Sequence, residues 1–377
     1  MKNINVGLLG HRFMGKAHSN AYRKMGMFFD PSAKMTMKAI CGLEENEVME
    51  AAKKFGWESH ESSWQKLVRR KDVDMIDIAA ATNLHKDAAI AAAGEGKHIF
   101  CEKPLAINLE EAREVLEIVK KCNVKHQIGF NYRFVPAVML AKKLIEQGKI
   151  GKIFHVRASF LQSWLTGPGT PFGWKLDKKS AGSGAIGDLG SHFIDMARFL
   201  AGEFDSVMAM SKTFAKWRPV SAAANSPVRE VDVDDCAVFA AEFKSGALGV
   251  FEATRVAQGH MNDLSMEING GLGSLKFYFE RMNELHYHSA EDEPGSGGFR
   301  IIQASEPVHP YMKAWWPAGH IIGYEHTFVH ELHEFAEAIA NNTPPCPSFE
   351  DGVKCAQIVE AVELSCARKS AVKVDEM

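Results

Sequence analysis

Short apolar runs and amphipathic stretches alternate along the first third of the chain. Residues 3–9 form a compact apolar run that ends at Gly10, and 14–25 follow with helical spacing. Residues 35–41 alternate apolar and polar as a strand does, and 45–55 read as a helix closed by Gly56. The nearly continuous apolar run 75–81 suits a strand buried on both faces. An Ala-rich helix over 86–93 and a strand over 98–102 come next. Asn108 with Glu111 three residues later marks a capped helix start, and 125–130 is a further strand. This rhythm predicts a doubly wound parallel sheet.

The rhythm then changes. A helix over 135–147, closed by Gly148, leads to a long strand over 152–161. Beyond a helix holding Asp188 and His192, strand patterns cover 207–212, 235–243, 248–253, 264–269 and 274–279, the last two joined by a glycine-rich turn at 270–273. Segment 291–298 reads as an exposed loop, and helices over 325–340 and 350–368 close the chain. Many strands with few helices between them predict an α+β domain with a mostly antiparallel sheet. The expected division is an N-terminal domain over 1–128 and a C-terminal domain over 129–377, whose last helices pack back toward the first.

Composition narrows the function. The 377 residues are 46% hydrophobic and 24% charged, enough apolar material for packed cores. A net charge of −3 gives no reason to expect a nucleic-acid or anionic-membrane partner. The seven cysteines are dispersed without a C-x-x-C pair, which suits a reducing cytoplasm. No apolar run approaches membrane-spanning length, and the start leads straight into a strand without a cleavable signal region.

Gly10-His11-Arg12-Phe13-Met14-Gly15 follows a strand and opens a helix, the context in which a Rossmann dinucleotide fingerprint carries meaning. Gly10 permits the tight turn, and the helix N-terminus offers free amides to a pyrophosphate. Arg12 replaces the usual second glycine, so its side chain either points away or itself contacts a phosphate. The second strand ends in Cys41-Gly42-Leu43-Glu44, with no base to hold a 2′-phosphate and Glu44 nearby, which favours NAD over NADP. Thr82, Asn83 and His85 follow the third predicted strand, where they can line the cofactor, cap a helix, or both.

The candidate chemistry rests on Lys103, Asp188 and His192. Lys103 directly follows a buried strand and precedes Pro104, where an X-Pro bond tolerates the cis form. Asp188 and His192 stand i,i+4 beside an apolar stripe of Leu189, Phe193, Met196, Ala197 and Leu200, so they share the edge of a buried face. His192 can accept a hydroxyl proton, Asp188 can orient and stabilise the charged imidazole, and Lys103 can polarise the substrate oxygen. An ordinary solvated turn and a surface Asp–His pair are the bland alternatives. His326, His330 and His333 form a helical stripe, but His330-Glu331-Leu332-His333 lacks metallopeptidase spacing, and no metal site is expected.

These residues resemble the Gfo/Idh/MocA family of NAD(P)-dependent sugar and polyol dehydrogenases. The resemblance spans nearly the whole chain and rests on Gly10–Gly15, Thr82-Asn83-Leu84-His85, Glu102-Lys103-Pro104, Gly129-Phe130-Asn131-Tyr132-Arg133, and Asp188 with His192. It implies that Lys103, Asp188 and His192 carry catalysis. Gly10, Arg12, Phe13, Met14, Thr82, Asn83, His85, Glu102, Lys103, Arg133 and Trp174 would serve the cofactor. It also implies dimer or tetramer assembly through the open sheet. The run Phe13–Asn20 looks most like the branch acting on levoglucosan, inositols and glycosides oxidised at the third carbon, by which Gln162, Tyr324 and His326 would touch substrate. Arg12 and Gly42 depart from the commonest pattern. The expectation is a cytoplasmic, homo-oligomeric, NAD-dependent dehydrogenase of a ring hydroxyl on a sugar, glycoside or cyclitol. A redox-neutral enzyme holding NAD tightly, which cleaves glycosides or passes hydride between two sugars, is one rival. A nucleotide-sensing regulator without chemistry is another, against which the intact Lys103, Asp188 and His192 speak.

Overall fold

The computed structural model describes residues 2–167, 169–223 and 225–377. The chain divides into two compact units, one running up to Phe134 and including Ile322–Lys354, the other comprising Val135–Ile321 and Cys355–Met377. The segment 322–354 thus belongs with the N-terminal residues rather than with the sequence around it.

The first unit is built on β1 (Lys2–Leu9), α1 (Phe13–Phe28), β2 (Ala33–Cys41), α2 (Glu45–Phe55), β3 (Ser59–Glu61), α3 (Trp64–Arg69), β4 (Met75–Ile78), α4 (His85–Gly94), β5 (His98–Glu102), α5 (Leu109–Lys121) and β6 (His126–Gly129). Its six strands lie in the order β3-β2-β1-β4-β5-β6, all parallel. The strand order reverses between β1 and β4, and open α/β sheets bind ligands outside the strand ends at such a point. Ile4, Val6, Leu8, Ile76, Ile78, Ile99 and Phe100 are fully buried along these strands. Local signals set the helix ends. Gly56 takes a left-handed φ of 87° behind α2, and the Asn108 side chain accepts the Glu111 N–H at 2.8 Å ahead of α5.

The second unit begins with α6 (Pro136–Glu146) and β7 (Ile153–Leu161), followed by α7 (Lys178–Ala181) and α8 (Ser191–Ala201). The strands β8 (Phe204–Lys212), β9 (Trp217–Pro219), β10 (Val228–Glu230), β11 (Cys236–Phe243), β12 (Leu248–Thr254), β13 (Asp263–Gly270), β14 (Gly273–Tyr278), β15 (Glu284–Ser289) and β16 (Arg300–Gln303) follow. The helix α9 (Tyr324–Ala340), which belongs to the first unit, the helix α10 (Phe349–Arg368) and the strand β17 (Val372–Lys373) end the chain. Nine strands form one sheet in the order β16-β15-β14-β13-β7-β12-β11-β8-β17. Every pairing in it is antiparallel except β12 with β7. The short, polar β9–β10 ladder and the strands β16 and β17 carry little hydrophobic alternation, and the sequence pattern did not predict them; β15 was also not predicted, although Leu285 and Tyr287 alternate inward among polar neighbours.

The sheet's inner face is aromatic. Phe251 is fully buried and stacks on Phe239 at 4.7 Å and on Phe193 of α8 at 5.6 Å, with Phe204 at 5.4 Å. Outward-pointing Met208, Met210, Leu248 and Val250 remain more than half exposed. Phe251→Ala should therefore lower the unfolding free energy by about 3–5 kcal/mol, because a large cavity opens among rings that cannot collapse into it. Urea unfolding followed by intrinsic fluorescence measures this, and a loss below about 1 kcal/mol would show that the cluster does not anchor the unit.

Candidate active site

In the first unit, the turn after β1 is shaped by glycines that no other residue could replace. Gly10 has φ 115°, and a Cβ there would lie 2.4 Å from the Ala79 carbonyl oxygen. A Cβ on Gly15 would lie 2.0 Å from the Gly10 oxygen. The turn delivers α1 with no side-chain cap at Arg12 and no acidic residue in its first turn. Unblocked amides and a positive dipole end suit the pyrophosphate of a dinucleotide, so the residues present fit that group. Arg12 turns toward α2, its guanidinium 3.4 Å from Glu47, which also meets His11 at 3.1 Å. Phe13 is 69% exposed at the helix start and stacks 6.4 Å from Tyr324, the first residue of α9. Met14 is half-buried beside it.

Thr82 is buried and Asn83 exposed in a 3₁₀ turn, and neither caps α4, whose N-cap is Leu84. Buried His85 places one ring nitrogen 2.8 Å from the Pro104 oxygen and the other 3.1 Å from the Ala80 oxygen. It therefore braces the Lys103-Pro104 turn, whose peptide bond is cis. Burial lowers its pKa. Arg133 pairs with Asp351 at 3.0 Å. The Gly323 N–H donates to the His326 ring at 3.0 Å, fastening it to the start of α9. His330 meets the Phe134 oxygen at 2.8 Å, and burial takes its pKa down to about 3. The His333 ring packs 4.4 Å from Phe29.

Beneath the Glu102-Lys103-Pro104 turn lies a buried polar network that the sequence reading missed. His18 of α1 bonds both Asp77 oxygens at 2.9 and 3.0 Å through one ring nitrogen and Glu102 at 3.1 Å through the other. Tyr22 donates to Asp77 at 2.8 Å, and the Lys103 N–H donates to the second Glu102 oxygen at 3.2 Å. Burial works against a proton on His18, but the Asp77 and Glu102 carboxylates outweigh it, and its pKa is raised well above the usual value. Glu331 of α9 faces the same group, with its oxygen within 4.8 Å of the His18 and Glu102 ligand atoms. Among the described residues neither Glu331 carboxyl oxygen has a hydrogen-bond partner. Burial first, then the neighbouring Glu102 charge, raises its pKa well above the carboxylate range. Only a histidine and acids widely separated in sequence signal this cluster, and nothing in their spacing links them.

In the second unit, Asp188 lies in a π-helical turn, Ile186–Gly190, that runs into α8, where His192 sits buried 5.9 Å from the Phe160 ring. The wider turn changes the angular register that a plain i,i+4 spacing supposes, and such turns favour functional positions. Asp188 accepts from the Lys175 ammonium at 3.0 Å on each oxygen and from Arg255 at 3.1 Å. Fully buried Arg255 also bonds the Gly184 and Lys175 carbonyls. The Asp234 side chain caps the helix start through the Gly184 and Ile186 amides at 3.0 and 3.1 Å. A Cβ on Gly184 would strike the Asp234 oxygen at 2.1 Å, which explains the glycine at this position. Arg255, Asp234 and Lys175 escaped sequence reading because their partners are distant along the chain. Trp174 is 45% exposed with the Lys175 ammonium 5.8 Å over its ring, and Gln162 is held between Trp164 and Asn262 at 2.9 and 2.8 Å.

Residues 4–130 match the model of an oxidoreductase family with an NAD-binding Rossmann fold, and 138–276 match the GFO/IDH/MocA C-terminal domain. Levoglucosan dehydrogenase of Pseudarthrobacter phenanthrenivorans is 42% identical, with 100% of each chain covered. Myo-inositol 2-dehydrogenase of Thermotoga maritima is 28% identical over 99% of each. A solved structure of levoglucosan dehydrogenase in complex with NADH superposes with a TM-score of 0.96 at 44% identity, covering 99% of both chains.

The raised pKa of Glu331 has a consequence for stability. Unfolded, this side chain sheds its proton above its ordinary pKa of 4.5, whereas the folded state holds it to higher pH. Its contribution to stability therefore falls as pH rises from that point. Glu331→Gln removes this dependence, so melting curves should show the variant gaining on wild type between about pH 5 and pH 8. A difference that stays constant across that range would place an ionised carboxylate at this position.

Proposed function

Because the chain belongs to the Gfo/Idh/MocA family, as an NAD-dependent dehydrogenase of sugar or cyclitol hydroxyls, we propose that its substrate is an anhydro sugar of the levoglucosan type. The observation that carries this reading is end-to-end similarity to levoglucosan dehydrogenase at 42% identity, against 28% for the inositol enzyme. NAD supplies the acceptor for the hydride that leaves the carbinol carbon. The glycine turn at Gly10 and the open end of α1 bind its pyrophosphate, with Phe13, Met14, Thr82, Asn83, Glu102, Arg133 and Trp174 assigned to the rest of the cofactor.

In this reading His192 accepts the hydroxyl proton, and Asp188 stabilises the imidazolium that results. The Lys103 ammonium donates to the substrate oxygen as alkoxide character develops. Lys175 and Arg255 support the Asp188 assignment, because they fix its carboxylate in place. Gln162, Tyr324 and His326 are assigned to the sugar. The exposed apolar row Met208, Met210, Leu248 and Val250 supports assembly into a homodimer or homotetramer through the open sheet. Seven free thiols support a cytoplasmic location. Among the described residues no helix is long and apolar enough to cross a membrane.

Purified protein given NAD and levoglucosan should produce NADH faster than with myo-inositol, and Lys103→Ala and His192→Ala should each lower kcat by about 10²–10⁴-fold. Turnover of cyclitols without turnover of levoglucosan would overturn the substrate, and unchanged kcat in either variant would overturn the assignment of that residue.

A further inference from the structure

Lys103 follows β5, whose last side chain, Glu102, points into the interior of the first unit. Glu102 is 5% exposed and lies against Gly129, where a Cβ would come within 3.0 Å of its oxygen. One Glu102 oxygen holds the Lys103 N–H and the other meets His18. His18 is completely buried, caged between Phe100 and Phe328 at 5.5 Å each, and its far ring nitrogen is fixed by Asp77. Carboxylates only accept hydrogen bonds, so a histidine bonded at both nitrogens to ionised carboxylates must donate from both.

We propose that His18 is a positioning residue for the reaction: held as a doubly donating imidazolium between Asp77 and Glu102, it fixes Glu102, and through Glu102 it fixes the backbone at Lys103. This rests on the assignment of Lys103 to the substrate oxygen. The effect passes through Glu102, whose two oxygens meet the His18 ring and the Lys103 N–H. The groups facing it are Asp77 of β4, Glu102 of β5, Tyr22 of its own helix and Glu331 of α9, with Tyr324 and Lys103 near Glu102. One imidazolium between two carboxylates, beside a protonated Glu331, leaves a single net negative charge in the cage. Ring and carboxylate atoms of His18, Glu102 and Glu331 lie within 4.8 Å of one another, the spacing of a divalent-ion site, and the test includes that outcome.

The test uses the full-length protein. NMR of protein carrying isotope-labelled histidine should show one ring, assigned by its loss in His18→Gln, protonated at both nitrogens from about pH 6 to pH 9. His18→Gln should lower kcat about 10–100-fold while NADH affinity, read by fluorescence titration, stays within about twofold. Asp77→Asn removes the stronger of the two holding charges, so His18 should lose its proton within the assayed range, and kcat should then decline as pH rises where wild type stays level. A neutral His18 ring in wild type, wild-type kcat and pH profile in His18→Gln, or one chelator-removable metal ion per chain that Glu331→Gln abolishes, would each overturn the proposal. If His18→Gln does not fold, the ring signal is assigned by its shift in Asp77→Asn, and that variant's pH profile decides. Lys103→Ala, run in parallel, separates the two ideas: an active Lys103→Ala removes the premise, whereas an inactive Lys103→Ala beside a normal His18→Gln removes only the role of His18.

Discussion

A carboxylate taken out of water costs several kcal/mol unless a positive group replaces its hydration. The first unit buries acids beside the position where chemistry is assigned, the second holds a part-buried one, and each must meet that cost. In the first unit His18 lies between Asp77 and Glu102. In the second, Arg255 and Lys175 converge on Asp188. Removing His18 from the first set leaves uncompensated buried charge, and in both sets the paired groups determine one another's position. The geometry around them follows: glycine at 129 makes room for Glu102, and glycine at 184 lets the backbone close onto Asp234.

The scaffold that holds these sets was largely legible. Parallel strands buried on both faces read as apolar runs, and β4 and β5 appear in the sequence for that reason. The Asn108 cap and the glycine stop at 56 carry their own chemistry, so α5 starts and α2 ends where the pattern places them. The open sheet of the second unit showed itself through period-two alternation, as in β11, where Ala237, Phe239, Ala241 and Phe243 face inward. Strands with polar or mixed composition, such as β10 and β16, gave no such signal because little of them is buried.

The site was legible only where function compresses residues into a short run. Glu102-Lys103-Pro104 and Asp188 with His192 stand out because neighbours in sequence share a turn or a helix face. His18, Asp77 and Glu331 come from three elements, and only the fold makes them a group. His85 sits in a motif expected to line the cofactor, and the fold adds that its ring nitrogens lie 2.8 and 3.1 Å from the Pro104 and Ala80 oxygens. Arg255 looks like any strand-end arginine until its guanidinium is seen to join Asp188, Gly184 and Lys175.

The two compensating sets also differ in a way that matches their assigned tasks. Arginine stays charged at any working pH, so Arg255 gives Asp188 a partner whose charge does not fluctuate. In the proposed mechanism that constancy serves His192, which would gain and lose a proton in every turnover, because a partner that titrated with it would blunt its response. Lys103 would instead keep its own charge and a fixed position while the alkoxide forms and decays. A sealed cage can supply that with a histidine, provided solvent never reaches the ring, and His18 is fully buried. A lysine in its place would carry a longer, freer chain with a tetrahedral set of donors. It could not span Asp77 and Glu102 along one rigid axis as the two nitrogens of an imidazole do.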